Sequence, residues 1–164
     1  MGIDPHLRLK SGRSIYADLD DEPPSAGSFA WTDFVIGLWH FWRPSNLFSR
    51  IRLHRLGLGV LASAVSFYGS DPPFSRWVAP QTLAAAARKA LELLSRDDRR
   101  MRRLLTLYRQ GYGVDASSID EGVQEGTVPA DWLKQSMSGD LEQLIAVADW
   151  AEAHGEDAIK IDFS

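Results

Sequence analysis

Between Pro80 and Tyr108 the apolar residues recur at helical spacing, and this pattern constrains the fold more than any other feature of the chain. Leu83, Ala87, Ala90, Leu91 and Leu94 share one stripe, and Pro80 suits a first helical turn because that position has no intrahelical amide bond to lose. Met101, Leu104, Leu105 and Tyr108 form a second stripe after Asp97-Asp98, carboxylates suited to a helix N-terminus, and Gly111 and Gly113 end it. Two successive amphipathic helices must bury their stripes, so the chain is predicted to be mainly helical.

The two ends read differently. Ile3, Leu7 and Leu9 alternate with His6, Arg8 and Lys10, and Ser11-Gly12 separates this run from residues 13–19, which predicts an N-terminal β-hairpin. Ile159, Ile161 and Phe163 alternate with Lys160 and Asp162, which predicts a C-terminal strand. A loop is expected over the acid- and proline-rich residues 18–28. A helix should run from Thr32 through Phe34, Val35, Leu38, Trp39 and Trp42 to Pro44, and a second could start at Ser45. The run from there to Tyr68, broken by Gly57 and Gly59, fits a helix and a buried strand equally. Residues 111–128, rich in Gly, Ser and acid, read as a loop, Pro129 to Ser136 as a short helix, and Asp140 as the cap of a separate helix ending near Gly155. The expected architecture is α+β: one domain over residues 1–164, predominantly helical, with a small sheet built from the N-terminal hairpin and the C-terminal strand and covered by helices.

A chain of 164 residues, 45% apolar and 24% charged, is large enough to bury a core without staples. It has no Cys, which removes disulfides, thiolate metal sites and cysteine nucleophiles, and its first residues lack a signal-peptide core; a cytoplasmic address is expected. The longest weakly polar stretch, Leu56 to Tyr68, is too short to span a bilayer, so no membrane partner is expected. The net charge of −4 conceals an asymmetry: residues 31–109 hold 13 Arg/Lys against 5 Asp/Glu, and residues 110–164 hold 2 against 12. These two parts either face each other or present two electrostatic faces to partners.

Few motifs point to chemistry. Gly57-Leu58-Gly59-Val60-Leu61-Ala62 matches a relaxed dinucleotide-binding pattern, but the preceding RIRLHRL is too charged for a central strand and no acid follows at the required distance. The histidines at 6, 40, 54 and 154 lack ligand spacing, and neither the Asp18, Asp20, Asp21, Glu22 cluster nor Asp115 to Glu125 has the order of a calcium loop. No GxSxG turn or Ser-x-x-Lys pair is present. No metal and no cofactor are therefore expected.

Two features remain as candidate contact surfaces. Arg96, Arg99, Arg100, Arg102, Arg103 and Arg109 crowd around one helix, and guanidinium groups suit carboxylates and phosphates; Asp97, Asp98 and Glu92 temper the charge locally. Trp150 lies on the helical wheel opposite Leu141, among Gln143, Ala146 and Ala153, so it is expected to be exposed as an interaction hot spot unless another segment covers it. Seven aromatics between Phe29 and Phe48 exceed what one helix usually needs. In size, acidity, lack of Cys and absence of chemical motifs the chain resembles, as a class, small bacterial proteins that work by binding, such as immunity proteins of toxin systems; no residue motif carries this likeness. The leading expectation is a non-enzymatic protein-binding protein, a homodimer or a stoichiometric inhibitor, with Trp150, Arg99, Arg100, Arg102 and Arg103 at the contact. Nucleic-acid binding through the Arg-rich helix 96–109 is the first alternative, and an enzyme of unknown class the second.

Overall fold

A computed structural model describes residues 5–14, 21–26, 55, 58–67 and 75–163. Its elements in chain order are β1 (Pro5–Leu9), α1 (Gly59–Ser63), β2 (Val65–Phe67), α2 (Pro80–Ser95), α3 (Arg99–Arg109), a 3-10 turn at Gln110–Tyr112, α4 (Asp115–Gln124), α5 (Trp132–Ala153) and β3 (Ile159–Phe163). The fold is α+β, mainly helical with a small sheet, as the sequence predicts; the sheet is mixed and takes its third strand from Val65–Phe67. Among the described residues no helix is long and apolar enough to cross a membrane.

The sheet order is β1-β3-β2, antiparallel between β1 and β3 and parallel between β3 and β2. The strand last in sequence is therefore the central one. Leu7 stands opposite Ile161 and Leu9 opposite Ile159, so the alternation read at the two ends meets in one register. Of the predicted hairpin, β1 forms. Gly12, at φ +75°, turns the chain with its amide on the Leu9 carbonyl, but Arg13 and Ser14 are in no strand, and residues 15–19 lie outside the described residues. The expected helix from Thr32 to Pro44 and the aromatic group at 29–48 also lie outside them. Of the ambiguous run, residues 45–54, 56–57 and 68 lie outside the described residues; its described part holds the short helix α1 followed by the short strand β2.

Leu7, Leu9, Val65, Ile159 and Ile161 point from the sheet into one continuous core with Leu83, Ala87, Ala90 and Leu94 of α2, Met101, Leu104 and Tyr108 of α3, and Met137, Leu141, Leu144, Val147, Ala148 and Ala151 of α5. The α2–α5 pair is the most extensive helix packing; alanines on both helices let the backbones approach closely. The opposite sheet face is polar yet also sequestered. Arg8 and Lys160, cross-strand neighbours, lie over the Trp77 ring at 5.2 and 4.9 Å, Ser66 donates to Asp162 at 2.9 Å, and Lys160 is only 2% exposed.

Two sequence expectations in the acidic third are corrected. Residues 111–128 are not a loop throughout, since α4 occupies Asp115–Gln124 with Asp115 favourably placed in its first turn. The short helix and the Asp140-capped helix are one 22-residue helix, α5, about 33 Å long at the usual rise, and Asp140 lies buried within it rather than at its start. Its end is as read: Gly155 at φ +75° allows the Glu156 amide to reach the Ala151 carbonyl at 3.0 Å and its own amide to reach Glu152 at 3.0 Å. The Glu156 carboxylate, buried there, accepts from Ser11 Oγ at 2.9 Å and Arg13 Nε at 2.8 Å, fastening the turn after β1 to the end of α5.

Candidate functional site

The α3 helix begins because Asp98 caps it, its carboxylate accepting from the Met101 amide at 2.9 Å. Met101, Leu104 and Tyr108, spaced three and four apart, then fix which face is buried. At 100° per residue Arg99, Arg102 and Arg103 lie opposite that face, with Arg100 to one side, and all four are exposed. Arg96, at the end of α2, is exposed beside them. Among the described residues none of these five guanidinium groups has an ion-pair partner.

Arg109 differs from the other five. Its two terminal nitrogens meet both Asp120 oxygens, at 3.1 and 2.5 Å, and so join the end of α3 to α4. The hydrogen bonds from Arg109, aided by its charge and by a bond from Trp132, hold the Asp120 carboxyl below the usual carboxylate range; the same bonds raise Arg109. Arg88 of α2 approaches Asp149 of α5 at 3.5 Å. The basic middle and acidic end of the chain therefore face each other at these two places, while among the described residues the arginines at 96–103 take part in no such pairing.

Beneath α3 runs a polar network that the sequence reading missed. The Tyr108 hydroxyl donates to Asp140 and lies 3.1 Å from Ser136 Oγ, and Ser136 also meets the Tyr112 hydroxyl. Tyr112 packs edge-on against Tyr108 and Trp132, with ring centroids 5.8 and 4.9 Å apart. Its trace in the sequence is two pairs at helical spacing, Tyr108 with Tyr112 and Ser136 with Asp140, each able to present two polar groups to one neighbour. Burial, and next the bond to Asp140, push the Tyr108 ionisation far above its ordinary value, so the phenol stays protonated and acts as a donor. Among the described residues Ser136 meets two phenols and neither a carboxylate nor an imidazole, the partners that activate a nucleophile. The network clamps α3 to α5 and so fixes the direction in which the arginines point.

Trp150 is not exposed as expected. It is half-buried, packs against the core and stacks on His154 with centroids 4.0 Å apart, one helical turn further on. Its indole N–H is buried and has no hydrogen-bond partner among the described residues. Of the two candidate surfaces, the arginines are thus exposed and Trp150 is partly covered. His154 donates from Nδ1 to the Trp150 carbonyl at 2.7 Å and faces Asp21 at 3.7 Å, whereas His40, His54, Asp18 and Asp20 lie outside the described residues. Among the described residues no group of three or more potential ligands is arranged to hold a metal ion. Gly59 of the glycine motif opens α1 and lines, with Val60, Gln81, Thr82, Ala86 and Lys89, a shallow groove of about 470 Å³ that brings no acid and no imidazole to a common point. No family model, curated protein or solved structure matches the chain.

Proposed function

We propose that the protein works by binding a protein partner through the arginine face of α3, with no chemistry of its own. The observation that supports this reading is the set of exposed guanidinium groups at Arg99, Arg100, Arg102 and Arg103, with Arg96 just before them, which have no ion pair among the described residues, on a helix held from beneath by Met101, Leu104 and Tyr108. Fixing the helix in advance removes part of the ordering cost of association, and arginine is the side chain best suited to pairing with carboxylates at an interface. A stoichiometric inhibitor, which acts by occupying its target, requires no more than such a surface. A chain without Cys needs no oxidising compartment, and the partner is sought first in the cytoplasm. The test is affinity capture from cytosolic extract of the native host with wild type and R99E/R103E, read by mass spectrometry. One stoichiometric protein is expected with wild type and not with the variant. Capture unaffected by the reversal, or recovery of nucleic acid in place of protein, would sink the reading.

A further inference from the structure

The arginine strip is bounded by carboxylates at both ends. Arg99 to Arg103 spans little more than one turn, roughly 6 Å of helix axis, with Arg96 just before it. On the N-terminal side stand Asp97 and Glu92, both exposed, and the half-buried Asp98. On the C-terminal side Asp120 holds Arg109, and the exposed Asp115, Glu121 and Glu125 follow on α4. We infer that this surface selects a short acidic segment of a partner protein and discriminates against extended polyanions, nucleic-acid duplexes above all. The inference rests on the reading that α3 is the contact surface.

The physical argument is one of length. A segment with two or three closely spaced carboxylates fits within the strip, and each carboxylate can be met by a guanidinium fork. A duplex carries one negative charge per about 1.7 Å of axis, so phosphates on either side of those engaged lie over the flanking carboxylates. At physiological ionic strength the screening length is about 8 Å, so the flanking carboxylates act most strongly on phosphates placed directly over them and more weakly on carboxylates held within the strip. The net charge of −4 adds a weaker repulsion of the same sign, and more of it for the longer ligand. Like-charge contacts at the ends of a site are a way of rejecting a competitor that shares its central chemistry.

The experiment is fluorescence anisotropy at physiological ionic strength with two labelled probes, a short peptide carrying two or three adjacent glutamates and a DNA duplex of about 20 base pairs, the latter long enough to overrun the strip. Wild type should bind the peptide more tightly than the duplex. R99E/R103E should weaken the peptide at least about tenfold, while K10E/R76E, an equal charge change at exposed positions outside α3, should not. Neutralising the flanks in D97N/E121Q/E125Q should raise duplex affinity several-fold and leave the peptide within about twofold. The inference is overturned if the duplex binds wild type more tightly, if flank neutralisation leaves the duplex unchanged, if K10E/R76E weakens the peptide as much as R99E/R103E, or if neither probe binds. The broader reading fails on a different result, capture of a partner that is indifferent to R99E/R103E, so the two failures are distinguishable.

Discussion

Asp140 is 4% exposed in the middle of a helix, where every backbone amide around it is already bonded. A carboxylate there needs side-chain donors, and Tyr108 supplies one. The sequence reading gave Asp140 the cap role that Asp most often has near an apolar stripe, because one chain cannot show which tyrosine from another helix will reach it. Tyr108→Phe removes the donor while keeping the ring, and is expected to lower unfolding free energy by about 1–3 kcal/mol in urea titrations. An alkaline signature follows from the same bond. Unfolded Tyr108 ionises near its ordinary value of 10.0, and folded Tyr108 well above it, so the folded state retains a proton that the unfolded state loses. Stability should fall as pH rises beyond about 10, and the fall should be shallower in Tyr108→Phe by up to about 1.4 kcal/mol per pH unit. Equal slopes for wild type and variant would mean that the phenol is not protected.

At the scale of elements, α2, α3 and β3 were legible because each buries one regular face and has chemically plain ends, Pro80 for α2 and Asp98 for α3. The acidic third was not, for two physical reasons. Only Ala116 of α4 is buried, so no apolar stripe advertises the helix. In α5, Ser138-Gly139-Asp140 looks like a stop and a new start, yet Met137 and Leu141 lie four apart on the buried side and carry the helix through. Two glycines test this account. A Cβ at Gly139 would meet nothing within 4 Å, so Gly139→Ala should stabilise the protein by about 0.5–1 kcal/mol through helix propensity alone. A Cβ at Gly122 in α4 would lie 2.7 Å from Val128 Cγ2, and the Gly122 carbonyl accepts both the Thr127 and Val128 amides, so Gly122→Ala should destabilise despite the same gain in propensity. Thermal midpoints of the two variants moving in the same direction would contradict the placement of one or the other. As for the candidate surface, the arginine face was legible because a charged stripe opposite an apolar one needs only the helical period. The half-buried Trp150 was not, because the wheel places a residue on a side of its own helix but is silent about what packs there.

For the molecule as a whole, the continuous core linking the sheet with α2, α3 and α5 implies that these parts unfold together. Ile161→Ala, at a buried position of the central strand, should cost about 2–5 kcal/mol and should shift the loss of far-ultraviolet circular dichroism and of tryptophan fluorescence by the same amount. Transitions that separate would show that the sheet is a distinct unit. The position of that strand also bears on synthesis. Among the described residues β3 is the strand that pairs with both β1 and β2, so these pairings form only once residues 159–163 have left the ribosome, long after β1 and β2 were made. A nascent chain that already contains α1 to α5 still lacks β3, and the sheet closes by insertion of a late strand between two early ones. Translation pauses or breaks upstream of Ile159 therefore yield chains with unpaired strand edges, the species that chaperones and proteases meet first.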